Sequence, residues 1–201
     1  MAKILLIGNG CEVLSEQKGS VINTFDKVIR LGTYQLEGYE NYVGSKTDIC
    51  VTAHWKVNLN RIKTIPMTYI TFPVFYETFL QKDIDQLKTE FISNLESDLI
   101  DKVEFMKYGD MESIISMLKK GLCGKSSLDF SKINPSLGFR SIWYLINTFP
   151  HDELYTYGFD FFKSGWYWKT SHNRDLKNRH PYIYERSVYE NLISDGILKK
   201  L

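Results

Sequence analysis

An α/β sandwich built on a mainly parallel sheet is the fold class that this chain predicts, and three observations carry it. Ile4-Leu5-Leu6-Ile7 is an unbroken apolar run that stops at Gly8-Asn9-Gly10, and such a run suits a strand covered on both faces. Segments rich in β-branched and aromatic residues then alternate with segments of helical periodicity, the order that lays helices over a parallel sheet. No repeat, low-complexity tract or linker breaks the alternation, so the 201 residues are expected to form one domain, 1–201, around one core.

The turn after the first run sets the first functional expectation. Gly8 and Gly10 lack Cβ atoms and would let a ligand approach the main-chain N–H groups, while Asn9 adds an amide that donates and accepts. In open α/β sheets ligands bind in the crevice beyond the carboxyl ends of the strands, which makes a nucleotide the natural occupant. Residues 20–25 read as one helical turn leading into the β-branched strand Lys27-Val28-Ile29-Arg30-Leu31, a compact strand–turn–strand unit. Residues 32–42 are a loop, and Gly44-Ser45-Lys46-Thr47 turns the chain into a strand at Asp48-Ile49-Cys50-Val51-Thr52.

Met67-Thr68-Tyr69-Ile70-Thr71-Phe72 is a further strand, closed by Pro73. Residues 83–99 place Ile84, Leu87, Phe91, Leu95 and Leu99 at helical spacing. Val103-Glu104-Phe105-Met106 is a short strand, followed by a helix with Met111, Ile114, Ile115 and Leu118 inward and Gly121 or Gly124 at its end. Residues 121–134, rich in Gly, Ser and Lys, form the expected mobile segment. Ser136 caps a helix whose apolar stripe is Ile142, Leu145, Ile146 and Phe149, and Pro150 ends it. Leu154-Tyr155-Thr156-Tyr157-Gly158-Phe159 is a strand that breaks at a glycine as the first one does, and residues 182–194 form the last helix.

Composition narrows the function. Lys and Arg (25) against Asp and Glu (24) leave a net charge of +1, so no global field draws in nucleic acid or an anionic membrane. Peripheral membrane contact stays open. Cys11, Cys50 and Cys123 are odd in number and far apart, fitting neither a disulfide framework nor zinc-ligand spacing. Met1-Ala2-Lys3 runs straight into the first strand and no apolar run reaches the roughly 18 residues of a membrane span, so a cytoplasmic location is expected. Neither a Gly-x-Ser-x-Gly elbow nor His-Glu-x-x-His is present, which disfavours serine hydrolases and zinc proteases. No metal is expected.

Among the histidines, His54 and His151 read as surface or packing residues. His172 and His180 lie in a polar, basic stretch just before the last helix. His180 precedes Pro181 at the helix start, where the dipole favours the neutral, proton-accepting imidazole. Glu185 follows five residues later and is placed to orient or charge-balance it.

Several separated pieces together resemble the sialyltransferases. Gly8-Asn9-Gly10, Phe25-Asp26-Lys27-Val28-Ile29-Arg30-Leu31 and Tyr42-Val43-Gly44-Ser45-Lys46-Thr47 look like parts of the family's large motif. Asn134-Pro135-Ser136-Leu137-Gly138 and Tyr157-Gly158-Phe159-Asp160 look like its small motif, and His180-x-x-x-x-Glu185 like its very small motif. The resemblance implies a Rossmann-like α/β/α sandwich, a variant of the glycosyltransferase A type. It also implies inverting, metal-independent transfer of sialic acid from CMP-sialic acid to a terminal sugar hydroxyl of a glycan, such as a lipooligosaccharide or capsular glycan. No cofactor is implied beyond the CMP-sugar donor.

On the matching positions, Gly8, Asn9, Gly10 and Arg30 would hold the nucleotide. Ser136, Leu137 and Gly138 would meet cytidine or its ribose, with Gly158 and Phe159 lining the donor. His180 would be the general base, supported by Glu185, and Tyr167, His172 or Lys169 would hydrogen-bond the leaving phosphate. Two departures stand out: Gly32 occupies the place of the large motif's amide, and Trp166 the place of a histidine before Tyr167-Trp168. CMP-Kdo transfer, or a non-catalytic nucleotide- or glycan-binding module of the same fold, are the alternative readings.

Overall fold

The computed structural model describes residues 1–72, 81–121, 134–169 and 180–201. Seven parallel strands form one sheet in the order β5-β4-β3-β2-β1-β6-β7. They are β1 (Lys3–Ile7), β2 (Lys27–Leu31), β3 (Ile49–Ala53), β4 (Met67–Thr71), β5 (Val103–Phe105), β6 (Glu153–Tyr157) and β7 (Lys199–Lys200). Between them run helices α1 (Gly19–Ile22), α2 (Glu40–Val43), α3 (Leu59–Thr64), α4 (Gln81–Ser93), α5 (Tyr108–Gly121), α6 (Leu137–Thr148) and α7 (Tyr182–Ser194).

The unbroken apolar run of β1 is explained by its position between two layers. Ile4 and Leu6 point to one face, joining Ile29, Leu31, Ile49 and Val51 from the next strands under α4, α5, α6 and α7. Leu5 and Ile7 point to the other, joining Val28 and the short helices through Ile22 and Val43. Alternation of side chains along each strand delivers both sets from one sequence run. Helix α6 is the most enclosed, with Phe139 through Leu145 all buried, and its Ser136 cap accepts the Phe139 N–H at 3.2 Å, as expected.

Several elements differ from the sequence expectation, among them α2, which begins inside the segment read as a loop, and α3, which was not expected. β1 and β2 are parallel neighbours, so residues 8–26 make a full crossover through α1 rather than a compact turn. α4 stops at Ser93 because the side chains of Ser93 and Asn94 both bond the Glu90 carbonyl and compete with the helical backbone. β7 was not expected: two lysines carry no strand pattern, yet Gly196, at φ +71°, turns the chain after α7 and buried Leu198 anchors it. The segment expected to be mobile falls, for residues 122–133, outside the described residues.

Candidate active site

The chain leaves β1 toward β2 but enters β6 on the other flank, so the carboxyl ends of these neighbours frame the topological switch point where α/β sheets bind ligands. Two glycine turns sit there, Gly8-Asn9-Gly10 after β1 and Gly158-Phe159-Asp160 after β6. They are fastened to each other. The Gly8 N–H donates to the Tyr157 carbonyl at 2.7 Å and the Gly10 N–H to the Gly158 carbonyl at 3.0 Å. A Cβ on Gly8 would lie 2.3 Å from the Gly158 oxygen, and Gly158 itself takes φ +75°. The glycines therefore serve the close approach of two chain segments, and the N–H groups of Gly8 and Gly10 are already occupied. Asn9 is half-buried and its Nδ2 donates to the Leu31 carbonyl at 3.2 Å, which ties the turn to the end of β2.

Beyond β6, Asp160 organises the chain. Its carboxylate accepts the Phe162 N–H at 3.1 Å, the Ser164 N–H at 2.9 Å and a short bond from the Ser164 hydroxyl. Ser164 Oγ in turn accepts the Cys11 N–H at 2.9 Å. Within this clasp Phe161 and Phe162 both take positive φ, 53° and 61°, a conformation that costs about 1–3 kcal/mol per non-glycine residue and persists only where the surroundings impose it. The bend stacks Phe162 on the His180 ring, with centroids 5.8 Å apart and planes 15° from parallel.

His180 stands two residues before α7 begins. Its Nδ1–H donates to the Asn134 carbonyl at 2.8 Å. A carbonyl can only accept, so in the neutral ring the proton sits on Nδ1 and Nε2 is the acceptor. Two residues further along the same segment, Ser136 donates its N–H to Glu185 Oε1 and its hydroxyl to Glu185 Oε2, both at 2.6 Å. Residues 134–136 and 180–185 are thus joined at three points. Leu137 lies against Gly32 and Gly138 against Phe159, so the β2 turn, the β6 turn, the start of α6 and His180 form one connected border.

Several expected roles change. Glu185 is fully buried and supports Ser136 rather than pairing with the imidazole; burial pushes its carboxyl up to about 7, against the opposing pull of Ser136 and Arg140. The Ser136 hydroxyl is committed to Glu185 and Phe139. Arg30 is buried and faces the loop after α2, donating to the carbonyls of Val43, Gly44 and Lys46 and to Thr47 Oγ1; it pins that loop instead of meeting a nucleotide. Tyr167 is buried too, its hydroxyl engaged with the Gln35 backbone, so it has no hydroxyl to offer a phosphate. His172 lies outside the described residues.

Two residues at the border carried no site expectation. Arg140, 2% exposed, donates through Nη1 to the Phe72 carbonyl at the end of β4, and Lys56 follows β3. An arginine inside the run Gly138-Phe139-Arg140-Ser141-Ile142 of a helical segment was the available signal.

The family model for glycosyltransferase family 29 (sialyltransferase) matches residues 3–197. CMP-N-acetylneuraminate-beta-galactosamide-alpha-2,3-sialyltransferase 4 of Rattus norvegicus is 45% identical over 47 residues, 23% of this chain and 14% of the relative. Lactosylceramide alpha-2,3-sialyltransferase of Rattus norvegicus is 42% identical over 50 residues, 25% of this chain and 13% of the relative. These matches therefore span only a small part of the relatives' length. Among solved structures, a mammalian sialyltransferase in complex with Gal-beta-1-3GalNAc-ortho-nitrophenol superposes with a TM-score of 0.65 at 18% identity, covering 100% of this chain and 69% of that one. The sialyltransferase CstII of Campylobacter jejuni, in complex with cytidine-5'-monophosphate, gives a TM-score of 0.56 at 16% identity over 100% of this chain and 80% of that one. With the family model running over nearly the whole chain, this protein belongs to glycosyltransferase family 29, the sialyltransferases.

Proposed function

We propose that the chain transfers sialic acid from CMP-sialic acid to a terminal sugar hydroxyl of a glycan, with inversion, without a divalent metal, and with His180 as general base. The observation that carries this reading is the Nδ1–H to Asn134 carbonyl bond of 2.8 Å, which leaves Nε2 as the basic nitrogen beside the switch-point turns. In the reaction the acceptor hydroxyl gives its proton to Nε2 as its oxygen bonds the anomeric carbon; the bond from that carbon to the CMP phosphate oxygen breaks, and CMP leaves with the electron pair. The imidazolium that forms keeps Nδ1–H on the same carbonyl, so the ring changes charge without moving. Asn9, whose side chain is tied through Nδ2 and keeps its Oδ1 acceptor, is the donor-side polar group of the β1 turn. Leu137, Gly138 and Phe159 line the nucleotide's edge.

Among the described residues no three His, Cys, Asp or Glu side chains converge, and metal independence is a part of the proposal that the assay in chelator decides. No helix of the described residues is long and apolar enough to cross a membrane. The test is product formation from CMP-sialic acid with a lactose-terminated acceptor, in chelator, with CMP-Kdo as the competing donor. His180→Ala lowers kcat at least about 100-fold, the usual worth of a general base, while CMP affinity stays within about twofold. An unchanged kcat removes His180 from this role, and transfer that requires added metal removes the metal-free mechanism.

A further inference from the structure

Phe162 covers one face of the imidazole that precedes α7. The ring centroids of Phe162 and His180 are 5.8 Å apart and their planes lie 15° from parallel, within the offset-stacked range of aromatic pairs. Tyr182, the first residue of α7, stands at 79° to the Phe162 ring with centroids 6.4 Å apart. Phe162 is thus held between the histidine and the helix that follows it. The neighbouring Phe161 turns the other way, into the core, 5.1 Å from the Tyr189 ring and 6.5 Å from that of Phe159.

This division is made by an uncommon backbone. Two successive non-glycine residues take positive φ, 53° and 61°, where glycine would sit without a Cβ penalty. The Asp160 carboxylate fixes the bend by accepting the Phe162 and Ser164 N–H groups at 3.1 and 2.9 Å. Strain of this kind persists where the surroundings impose it, and it collects at functional sites. What it delivers here is a phenyl face on the imidazole of His180.

Two constraints then act on that imidazole. The 2.8 Å bond from Nδ1–H to the Asn134 carbonyl holds one ring atom and leaves the ring able to tilt about the N–H axis. A phenyl stacked on the face removes the tilt, so the two contacts together aim Nε2. The phenyl also responds to charge, because its π face is negative and attracts a cation within about 6 Å of the centroid. When the imidazole takes a proton it becomes that cation. The contact is therefore stronger in the transition state than in the ground state, the condition for accelerating a chemical step.

We propose that Phe162 is a positioning residue of the transferase, one that aims His180 Nε2 and stabilises the imidazolium formed there. The inference rests on the functional reading above, in which His180 is the general base. The test compares wild type with Phe162→Leu, Phe162→Tyr and Phe162→Gly. It reads kcat, KM for CMP-sialic acid and for a lactose-terminated acceptor, CMP affinity by calorimetry, and Tm.

Leucine keeps apolar bulk without a π face, and Phe162→Leu lowers kcat at least about fivefold, the ordinary worth of a cation–π contact. Both KM values and the CMP affinity stay within about twofold, as for an interaction made only in the transition state. Tyrosine keeps the face, and Phe162→Tyr holds kcat within about twofold of wild type. Phe162→Gly loses the ring but relieves the left-handed backbone, so kcat falls as in the leucine variant while Tm stays within about 4 °C of wild type. Equal kcat in the leucine and tyrosine variants, or a loss carried by KM, overturns the inference. His180→Ala with unchanged kcat overturns the functional reading as well, whereas a slow His180→Ala beside a Phe162→Leu of wild-type kcat overturns the positioning role alone.

Discussion

Glu185 and Ser136, 49 residues apart in sequence, hold each other through two hydrogen bonds of 2.6 Å in a fully buried setting. This pair joins α7 to the start of α6, and the His180 bond to Asn134 lies on the same seam. Glu185→Ala leaves the Ser136 N–H and hydroxyl buried without an acceptor and is expected to cost about 2–3 kcal/mol, a Tm drop of about 4–12 °C for a chain of this size. Ser136→Ala in the Glu185→Ala background should cost much less than alone, because the partner is already gone. Thermal denaturation of the four proteins checks this, and additive losses would show that the two residues are not coupled.

The same carboxyl makes stability depend on pH. Burial holds Glu185 up to about 7 in the fold against an ordinary value of 4.5, so the folded state binds this proton more tightly than the unfolded state. Its contribution is complete below the unfolded value and is lost as pH rises through about 7. Glu185→Gln keeps one acceptor and one donor facing Ser136 and cannot titrate. Urea midpoints at pH 5 and pH 8 should therefore show wild type losing ground to Glu185→Gln as pH increases. A difference that is flat, or that moves the other way, contradicts a raised carboxyl.

A glycine series separates contact from conformation. Gly8→Ala forces a Cβ to 2.3 Å from the Gly158 carbonyl oxygen, backbone against backbone, and should abolish soluble folded protein or lower Tm by more than about 10 °C. Gly138→Ala presses on the edge of the Phe159 ring at 3.3 Å, with Ser136 Oγ at 3.6 Å and Leu31 at 3.9 Å in ordinary contact, and should cost under about 1.5 kcal/mol. Gly38→Ala meets nothing within 4 Å but sits at φ +83°, so its cost is the left-handed conformation alone, about 1 kcal/mol. Circular dichroism melts compare the three, and a Gly8→Ala loss no larger than the other two contradicts the close packing of the two turns.

Arg30 is expected to behave as a structural pin. Its guanidinium reaches four acceptors on residues 43–47 from one fork, and burial lowers its pKa to about 10. Lysine offers a single ammonium and cannot reproduce the fork, so Arg30→Lys should lose about 2–4 kcal/mol by chemical denaturation, with Arg30→Met losing at least as much. Full stability in Arg30→Lys would mean that one donor suffices.

Much of the sheet was legible in the sequence because two-sided burial leaves a plain mark: β1, β2 and β4 read as apolar or β-branched runs, and Ser136 read as a helix cap. Parallel pairing of β1 and β2 was less visible, since the short α1 crossover looks like a turn until the partner strand is known. At the border, the two glycine turns and the position of His180 just before the last helix were readable from local spacing. The partners of Arg30, Tyr167 and Glu185 were not, because each is decided by a residue distant in sequence or by a main-chain oxygen that no side-chain pattern encodes. Arg140 shows the opposite case, a charge in an apolar helical run whose burial was signalled but whose purpose needed the neighbouring strand ends.

The group that receives the His180 proton donor belongs to the peptide backbone. Side-chain replacement at position 134 leaves that oxygen in the chain, so genetic drift there does not delete the element that selects the imidazole's tautomer. Only a shift of the main chain, as from a change at Pro135 or a deletion in the segment, removes it. Directed-evolution libraries can therefore randomise position 134 to tune neighbouring surfaces while the proton-accepting nitrogen keeps its assignment.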